Sequence, residues 1–159
     1  MNQTIIIFGN SGAGKSTLAG KLSREHQLAH LDLDTLAWAP GSPPRRRDLA
    51  ESATQIHQFT RQHANWVVEG CYADLLALVS PYASEMIFLN PGVDACIRNC
   101  RQRPWEPHKY SSPEAQNNNL NMLIDWVKQY ALRDDEFSLR AHRLLFDTFT
   151  GPKREITAM

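Results

Sequence analysis

The chain has 159 residues, with Lys and Arg together numbering 17 and Asp and Glu together numbering 17, so its formal net charge is zero. A composition of 42% hydrophobic and 21% charged residues predicts one globular domain over residues 1–159. The neutral balance gives no strong indication of nucleic-acid binding, and no apolar run is long enough to span a bilayer. Cys71, Cys96 and Cys100 form no CxxC pair, so we expect reduced thiols in a cytoplasmic protein.

Apolar, β-branched runs alternate with helical patterns along the chain. The predicted strands cover Thr4 to Phe8, Leu28 to Leu33, Asn65 to Glu69, Glu85 to Leu89 and Arg154 to Thr157. The predicted helices cover Lys15 to His26, Leu49 to Gln62, Tyr72 to Val79, Val93 to Arg101, Ala115 to Leu132 and Asp134 to Phe149. The proline-containing segments Thr35 to Asp48 and Pro104 to Pro113 are predicted to be loops. This alternation predicts the α/β class with a parallel sheet.

A glycine-rich motif follows the first predicted strand. Its residues, Gly9-Asn10-Ser11-Gly12-Ala13-Gly14-Lys15-Ser16, match GxxxxGK[ST] at every position, and Thr17 continues into the predicted helix. The glycines permit a tight turn whose N–H groups point at phosphate oxygens, and the helix N-terminus adds its positive end. Lys15 supplies an ammonium group for the β- and γ-phosphates, and the Ser16 hydroxyl is a ligand for Mg²⁺. The motif therefore predicts a nucleoside triphosphate site, and the resemblance to a known family described below implies ATP and Mg²⁺ as the cofactors.

Two carboxylates, Asp32 and Asp34, end the second predicted strand. Ligands bind beyond the carboxyl ends of parallel strands, so we expect both side chains near the γ-phosphate, on one side of the strand. One could hold a Mg²⁺-bound water, and the other could accept a hydrogen bond from an attacking hydroxyl. The alternative interpretation is a solvated strand end, or a cap for the segment that begins at Thr35.

Arginines follow the fourth predicted strand. Arg98 and Arg101 share one helical face, and Arg103 follows them. Mobile arginines that close over a phosphoryl-transfer transition state stabilise its charge and exclude water. We therefore predict a lid over residues 101–114, with Arg101 and Arg103 as the phosphate contacts. The alternative is an ordinary cationic helix C-terminus.

Several other residues are candidate substrate contacts for which the alternatives remain open. The three adjacent arginines that follow two prolines could line the acceptor pocket or form a solvent-exposed cluster of positive charge. A carboxylate that closes the third strand could contact substrate or be a simple polar strand end. Two arginines at the start of the last helix could each clamp the substrate. These candidates are Arg45, Arg46, Arg47, Glu69, Arg133 and Arg140.

Four blocks of sequence resemble one family: Gly9–Thr17, Leu31-Asp32-Leu33-Asp34, Asn65–Tyr72 and Arg98–Pro104. They are similar to the small P-loop kinases related to shikimate kinase and adenylate kinase, and most of all to the adenylate-kinase-like proteins often labelled DNA topology modulation proteins. The resemblance covers nearly the whole chain. It implies a three-layer P-loop NTPase fold, with a five-stranded parallel sheet in the order 2-3-1-4-5 and a helical lid. It also implies that Asp32 holds water of the magnesium ion and that Asp34 faces the acceptor hydroxyl.

The sequence thus favours an ATP-dependent phosphotransferase. We expect it to move the γ-phosphate to a small-molecule hydroxyl or phosphate acceptor, with Lys15, Asp34, Arg101 and Arg103 as catalytic residues. No NKxD sequence follows a later strand, which argues against a GTPase. Two alternatives are a regulatory nucleotide-binding ATPase module and a nucleic-acid-associated ATPase. We expect a monomer or a homodimer.

Overall fold

A computed structural model describes residues 2–41 and 43–158. Its strands are β1 (Thr4–Gly9), β2 (Ala29–Asp32), β3 (Trp38–Ala39), β4 (Arg45–Arg46), β5 (Trp66–Gly70), β6 (Glu85–Leu89) and β7 (Lys153–Ile156). Its helices are α1 (Lys15–His26), α2 (Leu49–Gln62), α3 (Ala73–Val79), α4 (Val93–Gln102), α5 (Pro113–Lys128) and α6 (Leu139–Thr148). Single 3₁₀ turns cover Leu33–Thr35 and Ser80–Tyr82.

Five of the strands form one parallel sheet in the order β2-β5-β1-β6-β7. The numbering differs from the expected 2-3-1-4-5 because β3 and β4 intervene in the chain. These two strands form an antiparallel hairpin, with Trp38 opposite Arg46, in the segment that the sequence predicts as a loop. Counted within the five-stranded sheet alone, the strands run 2-3-1-4-5.

Helices cover both faces of this sheet. The central strands β1, β5 and β6 are mostly apolar and are buried along almost their whole length, as expected for strands that are covered on both sides. On one face Ile6 and Phe8 pack with residues of α2, α3 and α6. On the other face Ile5 and Ile7 pack with residues of α1, α4 and α5, which include the buried Cys96. The molecule therefore has three layers, and the loops after β1, β2 and β5 meet at one edge of the sheet.

The last long helix begins later than the sequence predicts. The prediction starts this helix at Asp134, but α6 starts at Leu139, where the Ser138 hydroxyl accepts a hydrogen bond from the Ala141 N–H at 3.1 Å. Asp135 lies in the preceding turn, where its carboxylate accepts from the Phe137 N–H at 3.0 Å. Such short-range bonds to the backbone compete with helix formation, so the two acidic residues belong to the connection.

No helix in residues 2–41 and 43–158 is long and apolar enough to cross a membrane.

Gly12 allows the glycine-rich loop to lie directly on α4. Its φ is +82°, and a Cβ atom at this position would lie 2.4 Å from the Cys96 carbonyl oxygen and 2.8 Å from the Cys100 sulfur. A side chain would therefore meet both an unfavourable backbone conformation and rigid helix backbone.

We expect Gly12→Ala to lower the free energy of unfolding by at least about 3 kcal/mol, because the clash adds to the cost of the left-handed backbone. Gly92→Ala is the matched control, since Gly92 has φ +101° and open space around its Cβ position. That control should lose less, about 1–3 kcal/mol in chemical denaturation, because Gly92 at ψ 155° lies in a backbone region open essentially only to glycine but meets no clash. Equal losses in the two variants would show that α4 yields to the added methyl group.

Candidate active site

The glycine-rich loop between β1 and α1 is held from the side of α4 and α5. The Lys15 ammonium donates to the Asn10 carbonyl oxygen at 2.7 Å. The buried Asn10 side chain donates in turn to the Val127 carbonyl oxygen at 3.3 Å. Asn99 on α4 donates to the Gly12 carbonyl oxygen at 2.8 Å. These bonds hold the loop in a tight turn immediately before α1. Backbone N–H groups of such a turn, together with the helix N-terminus, form an arrangement that favours phosphate binding.

Side-chain oxygens of Ser16 and Glu69 lie together on the other side of the α1 N-terminus. The Ser16 hydroxyl donates to Glu69 Oε2 at 2.7 Å, and His30 Nε2 lies 2.9 Å from the same oxygen. Glu69 is only 2% exposed, and the strand register pairs it with Asp32. Hydroxyl and carboxylate oxygens are the ligands that Mg²⁺ prefers, so this set fits the metal that the motif implies. In the described part of the chain no cluster of three or more His, Cys, Asp or Glu side chains forms a complete metal cage.

The charges around Asp32 disfavour its ionised form. Burial, followed by the negative charges of Glu69 and Asp34, raises the pKa of Asp32 to about 6. The hydrogen bond to Glu69 raises the pKa of His30, which is therefore more readily protonated than a free histidine. A cation beside Asp32 would relieve this repulsion, which is the electrostatic condition for a magnesium site.

Asp34 has the opposite environment. Burial opposes its ionisation, but Lys109 outweighs this effect and, with Tyr72 and Lys15, holds the pKa of Asp34 below its ordinary value. Lys109 Nζ lies 2.7 Å from Asp34 Oδ2, and the Tyr72 hydroxyl donates to Asp34 Oδ1. Trp38 Nε1 donates to the Tyr72 oxygen at 2.9 Å. Asp34 is thus an ionised carboxylate within the electrostatic reach of Lys15.

The two aspartates do not lie on one strand, contrary to the expected alternation. Strand β2 ends at Asp32, and Asp34 lies in the 3₁₀ turn Leu33–Thr35. Asp32 Oδ1 accepts from the Asp34 N–H at 2.9 Å and so caps this turn, while Leu33 is fully buried. The carboxylates still converge, because Lys109 Nζ lies 4.0 Å from Asp32 Oδ2 as well as 2.7 Å from Asp34.

The loop between α4 and α5 corresponds to the predicted lid. Arg101 is exposed on the last turn of α4, and within residues 2–41 and 43–158 no hydrogen bond or ion pair involves it. Arg103 Nη1 lies 3.4 Å from Glu106 Oε1, inside the same loop. The cation that this loop brings to the carboxylates is Lys109. Phosphate contact by Arg101 and Arg103 therefore stays a prediction.

Two of the three adjacent arginines have structural partners. Arg46 Nη2 lies 3.1 Å from Asp74 Oδ2, and its guanidinium lies over the Tyr72 ring at 4.8 Å from the centroid. Arg47 donates to the Leu36 carbonyl oxygen at 3.1 Å. Arg45 is exposed. Arg46 and Arg47 thus hold the hairpin in place beside Tyr72.

The structure places Arg133 and Arg140 in different environments. Arg133 is half-buried after α5, where its guanidinium lies 4.2 Å from the centroid of the Trp126 ring and donates to the Trp126 carbonyl oxygen. Trp126 is followed by Val127, whose carbonyl oxygen accepts from the Asn10 side chain. Arg133 therefore lies close to the glycine-rich loop. Its Nη2 atom is buried and finds no partner among the described residues. Arg140 is exposed on α6.

Sequence reasoning missed His30 as a partner of Glu69 and Lys109 as a partner of Asp34. His30 could have been found, because it precedes Asp32 by two residues and therefore shares its side of β2. Lys109 lies in an irregular segment far along the chain, and no spacing rule connects it with Asp34.

No protein-family model matches the chain. The uncharacterized protein YqaC of Bacillus subtilis (strain 168) is 22% identical over 132 residues, which cover 82% of this chain and 74% of that protein. A shikimate kinase from Bacteroides thetaiotaomicron has a TM-score of 0.54 at 18% identity, covering 80% of this chain and 76% of its own. A deoxyadenosine kinase from M. mycoides with bound dATP has a TM-score of 0.50 at 11% identity, and the match covers 97% of this chain and 90% of that chain.

These similarities show the fold: an α/β fold with a five-stranded parallel sheet, similar to that of the P-loop kinases. None of the three proteins is described as a DNA topology modulation protein, so that finer assignment still rests on the sequence resemblance alone.

Asp32→Asn should stabilise the folded protein at about pH 7.5 by roughly 1–3 kcal/mol in chemical denaturation. A carboxyl group whose folded pKa is raised to about 6 binds its proton more tightly when folded, so stability is lost as the pH rises through that value. Asparagine keeps the Oδ1 acceptor for the Asp34 N–H but carries no charge. At about pH 4 the difference from the unchanged protein should be small.

The matched control is Asp125→Asn on the exposed side of α5, which should change stability by less than about 0.5 kcal/mol. A loss of stability in Asp32→Asn at neutral pH would contradict the repulsive environment assigned to Asp32.

Proposed function

We propose that the protein is an ATP-dependent phosphotransferase that moves the γ-phosphate to a small-molecule acceptor. The observation that carries this proposal is the pair of carboxylates near the glycine-rich loop. Asp32 has a raised pKa beside Ser16 and Glu69, and Asp34 has a lowered pKa within reach of Lys15. Titratable neighbours whose environments push their pKa values apart typically have different chemical roles. A metal-side carboxylate and an acceptor-side carboxylate are the two that phosphoryl transfer needs.

The residues of the loop would hold the triphosphate, and Ser16 would be a direct ligand of Mg²⁺. Asp32 and Glu69 would accept hydrogen bonds from water on the ion. Bound Mg²⁺ neutralises charge on the β- and γ-phosphate oxygens. The Ser16 hydroxyl donates its proton to Glu69, so its lone pairs would be available to the ion.

We propose that the acceptor is a hydroxyl rather than a phosphate. Asp32 and Asp34 would repel a dianionic acceptor, whereas a neutral hydroxyl can donate to the free lone pairs of Asp34. The cations on this side are already engaged, since Lys109 pairs with Asp34 while Arg46 and Arg47 bond to Asp74 and backbone oxygens. As the acceptor oxygen bonds to the γ-phosphorus, Asp34 takes its proton, and Lys15 with Arg101, Arg103 and Arg133 would stabilise the charge on the transferred group.

The test is a screen of small hydroxylated compounds and nucleotides with ATP and Mg²⁺, in which ADP release is followed. Acceptor-dependent release is expected for a hydroxylated compound. Release that is equally slow with every compound would support the regulatory ATPase instead, and release that depends on DNA or RNA would support the nucleic-acid-associated ATPase.

Lys15→Ala should lower turnover by roughly 10²–10³, the typical loss for one preorganised charge contact. Among residues 2–41 and 43–158 its Nζ bonds only the Asn10 carbonyl oxygen, so circular dichroism and melting should stay close to those of the unchanged protein. Lys21→Ala, on the exposed side of α1, is the control and should keep full activity. Comparable activity in the two variants would remove the loop from the catalytic machinery.

Asp34→Asn should keep ATP affinity in calorimetry and lose acceptor-dependent turnover by roughly 10²-fold or more. The amide cannot take a proton, while the phosphate loop is unaffected. A variant with unchanged turnover would exclude Asp34 as the base.

A further inference from the structure

Lys109 connects the segment between α4 and α5 with the carboxylates of the site. Its ammonium lies 2.7 Å from Asp34 Oδ2, 3.3 Å from Glu106 Oε2 and 4.0 Å from Asp32 Oδ2. The side chain is only 22% exposed, so these contacts are weakly screened by solvent. One cation therefore faces three carboxylates from two parts of the chain.

The segment 103–112 is attached firmly on one side only. Gln116 on α5 accepts from the Glu106 N–H at 2.8 Å and donates to the Pro104 carbonyl oxygen at 3.1 Å. Asn119 donates to the Tyr110 hydroxyl oxygen at 2.9 Å. On the opposite side, in the described part of the chain, every hydrogen bond or ion pair between this segment and residues before β5 involves Lys109. The position of the segment over the sheet edge thus depends on one ammonium group.

We propose that Lys109 is a positioning residue that holds segment 103–112 over the site through its ion pair with Asp34. The carboxylates also raise the pKa of Lys109 against the effect of burial, so this ammonium stays charged.

Hydrogen–deuterium exchange of the nucleotide-free protein tests the proposal, with Asp34→Asn as the variant that removes the negative partner of Lys109. The reporters are the amides of Glu106, Lys109 and Tyr110, all of which are hydrogen-bonded. Asp34→Asn and Lys109→Gln should each speed their exchange by roughly 10-fold or more, the effect of losing a hydrogen bond between charged groups. Lys109→Arg should restore most of the protection, because it keeps the charge.

The controls are Asp125→Asn and Lys128→Gln, which make the same chemical changes at exposed positions of α5. They should leave exchange of the segment unchanged. The double variant Asp34→Asn with Lys109→Gln should exchange no faster than either single variant, since both remove the same contact.

Exchange within about twofold of the unchanged protein in both single variants would overturn the proposal and leave α5 as the sole anchor. This outcome is independent of the acceptor screen. Loss of protection without any kinase activity would uphold the positioning role and reject the proposed function.

Discussion

Four carboxylates, Asp32, Asp34, Glu69 and Glu106, meet at the carboxyl edge of the sheet, and their mutual repulsion has to be balanced for the chain to fold. Each is balanced differently. Glu69 accepts from Ser16 and His30, Asp34 and Glu106 share Lys109, and Asp32 is left with a pKa raised to about 6. The unbalanced charge lies beside the hydroxyl of the glycine-rich loop. The cost of gathering these groups is thus concentrated at the position where a divalent cation would remove it.

The sheet and the glycine-rich loop could be predicted from sequence because local sequence patterns determine them. Apolar, β-branched runs specify strands that are buried on both faces, and the spacing of glycines and Lys15 specifies a turn before a helix. The hairpin could not be predicted, since it depends on contacts of Arg46 with Tyr72 and Asp74, which follow much later in the chain. The start of α6 was missed for another reason: Asp135 and Ser138 bond to nearby backbone rather than continue a helix.

Some residues of the candidate site could likewise be predicted from sequence and others could not. Asp32 and Glu69 end neighbouring parallel strands, so a topology argument brings them together before any side chain is positioned. Asp34 was expected on the same strand but reaches the site from a turn, through a cap that Asp32 provides. Lys109 comes from an irregular segment, where neither periodicity nor register limits which partner it meets. The sequence therefore identifies the carboxylates with more certainty than the cations that accompany them.

Helix α4 joins the glycine-rich loop to segment 103–112. Near its middle, the Cys96 carbonyl oxygen lies directly under Gly12, and Asn99 donates to the Gly12 carbonyl oxygen. At its C-terminus the same helix leads directly into the segment. A side chain at Gly12 would therefore press on the helix that precedes the segment as well as strain the loop itself.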